Sequence, residues 1–167
     1  INGIAIEATN RFAIASGGDK RLSIYNIVNG KLVRSYKKSE AVTHELYKAD
    51  IDPSGMFVVV TGFDKSINIF DFFSGNLITR MMGHSEVVTN VKFTRDGRRI
   101  LSVSGDGTVM VWRVADGLVN AMQERLADLH GQAERDMRKS HGKLSLPVKS
   151  DNSVAPPPAP VGGGREG

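Results

Sequence analysis

At 167 residues and 40% hydrophobic content the chain has enough apolar material for a core, and a mean hydropathy of -0.20 suits a soluble protein. Cysteine is absent, which excludes disulfides and thiolate metal sites and makes a cytoplasmic setting the expectation. The net charge of +4 is scattered rather than gathered into a stripe, so it reads as solvated surface and not as a nucleic-acid footprint. No apolar run reaches the length of a bilayer and no signal peptide opens the chain, so no membrane partner is expected.

Taken in order, a first unit of about residues 1–36 begins in a strand at Ile4 to Ile6 and closes with one at Leu32-Val33-Arg34-Ser35-Tyr36. A second, 45–82, carries Phe57-Val58-Val59-Val60 and ends in Leu77-Ile78-Thr79-Arg80-Met81. A third, 87–117, carries Ile100-Leu101-Ser102-Val103. The units superpose. Asp19-Lys20-Arg21-Leu22-Ser23-Ile24-Tyr25 matches Asp64-Lys65-Ser66-Ile67-Asn68-Ile69-Phe70, and both match Asp106-Gly107-Thr108-Val109-Met110-Val111-Trp112. At fixed offsets from each Asp stand an apolar residue (Ile6, Ile51, Phe93), a turn residue (Asn10, Gly55, Gly97) and a Gly (Gly30, Gly75, Gly117). The repeat length of about 40–45 residues is that of a four-stranded propeller blade.

The local chemistry is that of strands joined by hairpins. Asp52-Pro53-Ser54-Gly55 and Thr94-Arg95-Asp96-Gly97 are turn sequences, with Gly free to take positive φ. Asn29-Gly30, Ser74-Gly75 and Asp116-Gly117 are expected to close the next hairpin. The runs at 57–60 and 100–103 are nearly continuous in apolar residues, as strands covered on both faces by neighbouring blades should be.

Gly83-His84, Asp106 and Val111-Trp112 resemble the signature of WD-repeat proteins, with Arg113 standing where the usual final Asp would be. The resemblance implies a buried hydrogen-bond network of His84, Ser102, Asp106 and Trp112, since a buried turn carboxylate must be paired. The first two units keep the Asp but have Ala15 with Tyr25, and Val60 with Phe70, at the Ser and Trp positions; they are expected to rely on packing instead. A hydrolase reading of Ser, His and Asp fails because Ser102 lies in mid-strand rather than at an exposed, strained turn. His44-Glu45 lacks the second His of a zinc-binding helix, and His130 and His141 have no ligand partners at useful spacing. No catalytic residue, metal or cofactor is expected.

Beyond Gly117 the pattern turns helical, so the third unit lacks an outer strand of its own. A propeller needs about four to eight blades. The fold class is therefore all-β: a WD-repeat β-propeller fragment of about three blades with the ring not closed, followed by one α-helix and a disordered tail. The missing blades of its own parent chain are its first partner. Val119, Met122, Leu126, Leu129, Ala133 and Met137 recur at three and four spacing, which predicts an amphipathic helix over 118–139, with Asp116 as N-cap and Gly131 costing about 1 kcal/mol. Packing on the propeller is the plainer use of that face and a coiled coil with a partner the other. Residues 140–167 are rich in Pro, Gly and Ser and predict a disordered tail. Arg138-Lys139 followed by Leu144-Ser145-Leu146 resembles the docking motif of mitogen-activated protein kinases, in which a basic pair meets an acidic patch and alternating apolar residues fill a groove.

A closer likeness lies in Leu46-Tyr47-Lys48-Ala49-Asp50-Ile51-Asp52, Ser66-Ile67-Asn68-Ile69-Phe70-Asp71-Phe72, Met82-Gly83-His84-Ser85-Glu86-Val87-Val88-Thr89, Val111-Trp112-Arg113 and Gln123-Glu124-Arg125-Leu126-Ala127-Asp128-Leu129. Across about residues 45 to 130 the chain is similar to the mitogen-activated protein kinase-binding protein family, which includes a microcephaly-linked spindle-pole WD-repeat protein. The resemblance implies a non-catalytic scaffold whose partners are stress-activated kinases and spindle-pole or centrosomal proteins, located in the cytoplasm, spindle pole and cytoskeleton. The family's kinase-docking and dimerisation segments lie beyond this stretch. The alternative is a generic WD-repeat adaptor, for instance a ubiquitin ligase substrate receptor or a subunit of a ciliary transport complex.

Overall fold

The computed structural model describes residues 1–36 and 44–142. Eleven strands and one helix follow in order. The first blade is β1 (Gly3–Ile6), β2 (Phe12–Ser16), β3 (Leu22–Asn26) and β4 (Leu32–Tyr36). The second is β5 (Leu46–Ile51), β6 (Phe57–Gly62), β7 (Ile67–Asp71) and β8 (Leu77–Met81). The third has β9 (Val88–Phe93), β10 (Arg99–Ser104) and β11 (Val109–Arg113), and α1 (Asp116–Gly142) follows. Each sheet is an antiparallel meander, with β1-β2-β3-β4, β5-β6-β7-β8 and β9-β10-β11 as hydrogen-bonded neighbours. Three sheets of four, four and three strands make an open arc of propeller blades, with no fourth strand on the third among the described residues.

The repeat seen in sequence is a repeat of backbone conformation. Asn10, Gly55 and Gly97 all have positive φ (57°, 74° and 67°), closing the first hairpin of each blade. Lys20, Lys65 and Gly107 do the same in the second hairpin (62°, 68° and 79°). Two lysines thus hold a left-handed conformation that glycine adopts without strain, so the turn is set by the strands it joins. Gly117 departs from the pattern expected of it. It lies in the first turn of α1, not in a hairpin. The Ala115 carbonyl accepts from the N–H groups of Leu118 and Val119, which starts the helix, and makes Ala115 the cap in place of Asp116. Asp116 is instead the first helical residue, its carboxylate held by Arg113 Nη2 at 3.0 and 3.1 Å.

Two apolar layers lie between the blades. The first joins Ala5, Ile14, Leu22 and Ile24 to Leu46, Ala49, Val58, Val60, Phe70 and Phe72. The second joins Phe57, Val59, Ile67 and Ile69 to Val88, Val91 and Ile100, and takes in Val114, Val119 and Met122. Every residue of β6 is buried, as a strand sandwiched by two neighbours requires. In β10 only Ile100 and Ser102 are buried; Leu101 and Val103 face outward, where no blade among the described residues covers them. The inner strands approach closely enough that a Cβ on Gly3 would fall 2.7 Å from the Tyr47 carbonyl oxygen and 2.9 Å from Lys48 Cα. Across the same line Asp50 accepts from the Phe93 N–H and from Lys92 Nζ, both at 2.8 Å.

The chain forms two compact units, Ile1–Gln132 and one beginning at Ala133. Within the first, α1 docks by its opening turns: Val119 and Met122 are buried, and Met122 Sδ lies where a Cβ of Gly97 would fall, at 2.7 Å. Leu126 and Leu129 are half-buried. The packed use of the apolar stripe therefore holds for this part of the helix. In the second unit the described residues continue α1 through Gly142, so the helix runs past Gly131 without a break and past the 118–139 read from the sequence. Ser140 to Gly142 are helical where the sequence suggested the start of a tail.

Candidate functional site

The polar side chains that the sequence singles out in the third blade meet in one chain of hydrogen bonds. Gly83-His84 leads into the blade before β9, Ser102 sits in mid-β10, Asp106 starts the β10–β11 turn and Trp112 lies near the end of β11. Trp112 Nε1 donates to Ser102 Oγ at 2.8 Å, Ser102 Oγ lies 2.7 Å from His84 Nε2, and His84 Nδ1 lies 3.0 Å from Asp106 Oδ2. An indole N–H only donates and a carboxylate only accepts, so Ser102 Oγ accepts from Trp112 and His84 Nδ1 donates to Asp106. Asp106 Oδ2 also accepts from the Ser85 N–H at 3.0 Å, and Oδ1 from the Thr108 N–H and hydroxyl at 2.9 and 2.7 Å. The Thr108 hydroxyl, with the N–H groups of Thr108 and Ser85 and the His84 ring, holds the Asp106 carboxyl far below the usual carboxylate range.

Gly83 is part of the same construction. A Cβ there would fall 2.8 Å from the Trp112 ring and 3.3 Å from Met110 Sδ, so the indole lies directly against the backbone that delivers His84.

The connectivity of carboxylate to Nδ1 and Nε2 to serine hydroxyl is that of a hydrolytic triad. Its setting is not. Ser102 is 1% exposed, its oxygen is already engaged by Trp112, and it lies in a regular strand register between Val91 and Met110. A nucleophile needs an approach for substrate and donors for an oxyanion beside it. What this arrangement does is tie β10, β11, the turn between them and the incoming segment together through four polar groups, each with a partner. Among the described residues no group of three or more His, Asp or Glu is placed to hold a metal ion, and no helix is long and apolar enough to cross a membrane.

The second blade is wired differently from the packing-only expectation. Asp64 accepts from the Ser66 N–H and hydroxyl at 3.2 and 2.6 Å and pairs with Arg80, while Asn68 Nδ2 donates to Ser66 Oγ at 2.8 Å. Ser66 and Asn68 are both about 1% exposed. Asp64 and Ser66 lie in the turn before β7 and Asn68 within it, so the turn geometry, with Lys65 at positive φ, brings the three together. A second carboxylate, Asp52, is buried in the β5–β6 turn and accepts from the N–H groups of Ser54, Met56 and Phe57 at 2.7, 2.8 and 2.6 Å. Only in the first blade is the repeated Asp nearly bare: exposed Asp19 accepts from the Arg21 N–H at 3.2 Å.

The family described as "WD domain, G-beta repeat" matches residues 75–113, the span that contains this network. The chain is a run of WD repeats. Over 152 residues it is 34% identical to WD repeat-containing protein 62 of Sus scrofa, covering 91% of this chain and 10% of that protein. Over 160 residues it is 38% identical to mitogen-activated protein kinase-binding protein 1 of Mus musculus, covering 93% of this chain and 11% of that protein. The Homo sapiens protein of the latter name is 38% identical over 151 residues. These WD repeats thus span about a tenth of the length of the curated relatives they match. The likeness also reaches past the stretch of about 45 to 130 that the motifs carry.

Of the four residues of the kinase-docking pattern, Arg138 and Lys139 are exposed on α1. Leu144 and Leu146 lie outside the described residues.

Proposed function

We propose that these WD repeats are part of a non-catalytic protein-interaction scaffold that serves kinase signalling. The observation that carries the reading is their 38% identity to a protein whose name states that it binds a mitogen-activated protein kinase. The chemistry supports it: the one Ser–His–Asp constellation is buried and fully engaged by its own strands. The reading extends to stress-activated kinases and spindle-pole or centrosomal proteins as partners, and to the cytoplasm and spindle pole as location.

Proximity labelling in cells with the full-length protein tests this. Stress-activated kinases and spindle-pole components should be enriched over a WD-repeat control. Enrichment of ubiquitin ligase or ciliary transport subunits instead would favour the generic adaptor and end the kinase reading.

A further inference from the structure

At the outer rim, in the groove between blades one and two, lies an apolar pit of about 130 Å³ lined by Phe12, Ile24, Val33, Arg34, Phe72 and Phe73. Both walls belong to blades present in this chain, so the pit is not an opening left by an absent neighbour. Its floor is built of rings: Phe72 meets Phe73 edge-on at 5.3 Å between centroids and Phe12 at 6.2 Å. Val33 and Phe73 are each nearly half exposed, apolar surface left uncovered at the mouth.

Three arginines surround it. Arg34 lines the pit and donates through Nη1 to the Phe73 carbonyl oxygen at 2.5 Å. Arg11 lies over the Phe12 ring at 5.7 Å and Arg125, from α1, over the Phe73 ring at 5.9 Å. A guanidinium stacked on a ring keeps its N–H groups free to bind carboxylates at its edge. Among the described residues none of the three forms an ion pair with an acid, and no carboxylate lines the pit.

We propose that this groove docks a short acidic peptide segment bearing one bulky apolar residue. The apolar side chain fills the pit and carboxylates on either side of it pair with Arg34, Arg11 and Arg125. In an extended segment residues two apart point the same way, so acids flanking the anchor can reach arginines on both sides. The same three charges reject basic segments, which supplies selectivity as well as attraction. The proposal rests on the scaffold reading but not on the kinase assignment, so a negative kinase result in cells leaves it standing.

The test uses the full-length protein and a fluorescein-labelled nine-residue peptide of Asp and Glu with one central Phe, read by fluorescence anisotropy. Saturable binding is expected, weakening at least about tenfold when the Phe becomes Ala or when Arg34→Glu is combined with Arg125→Glu, and weakening with added salt. Val33→Asp, at the exposed mouth, provides a second variant that leaves the arginines in place and should also abolish binding. Hydrogen exchange of β2, β4 and β7 unchanged from the parent protein shows that the variants are folded. Absence of saturable binding, equal binding of a peptide with Lys in place of every acid, or indifference to the folded variants would overturn the proposal.

Discussion

Expressed by themselves, residues 1–117 are expected to be insoluble or to form large oligomers. The third blade leaves Leu101, Val103, Val109 and Val111 on one uncovered face, with Val109 65% and Val111 60% exposed. Cross-strand register places Leu101 opposite Val111 and Val103 opposite Val109, so the four form one contiguous patch. At the other end Ile4 and Ile6 are 67% and 54% exposed on the first blade. Each of these side chains forgoes on the order of 1 kcal/mol of burial, and together that is comparable to the roughly 5–15 kcal/mol net stability of a whole domain. β11 adds an unpaired edge, a template for pairing with another chain. A cut at 117 also strips Val119 and Met122 from the second apolar layer. Light scattering checks this: a monodisperse, cooperatively melting monomer would show that three blades suffice.

Ser102→Ala is expected to destabilise the third blade by about 3 kcal/mol, because it leaves the Trp112 N–H and His84 Nε2 without partners in a site closed to water. Trp112→Phe should cost less, since Ser102 keeps His84. The double variant should cost less than the sum, because both changes break one chain of bonds. Asp106→Ala should weaken the fold more than Asp19→Ala, whose carboxylate holds a single long bond from Arg21. Native-state proteolysis of the full-length protein, scored at cuts within 83–113, resolves these differences; equal losses for Asp106 and Asp19 would mean that the network carries no stability. Acid should act in the same direction. The folded Asp106 resists protonation that the unfolded chain accepts near pH 4, so its contribution is fully present above that pH. It declines as pH falls further toward the depressed folded value.

The propeller was legible because one repeat was written three times in spaced turn residues and β-branched runs, and the positive φ at Asn10, Gly55 and Gly97 shows why those positions had to be turn formers. The network in blade three was legible through the resemblance of Gly83-His84, Asp106 and Val111-Trp112 to the WD-repeat signature. Blade two's polar cluster was not legible, because the turn at Asp64–Ser66 and not strand alternation brings Asp64, Ser66 and Asn68 together. Gly117 was misread as a hairpin glycine because the offset from Asp106 is right. Instead the Ala115 carbonyl captures two amides and Val119 and Met122 pack into the second apolar layer, and neither follows from the offset. The rim pit could not be read from sequence at all. Phe12, Val33 and Phe73 are far apart in the chain, and only the packing of two blades brings them together.

We infer that this open arc of WD repeats is completed into a ring in the full-length protein. Amide hydrogen exchange of peptides covering Val109–Arg113 and 100–104, compared between the full-length protein and residues 1–167 alone, tests it most directly. Slow exchange at β11 is expected in the full-length protein and fast exchange in the isolated stretch, because another strand pairs its free edge. Equally fast exchange of β11 in both would contradict it.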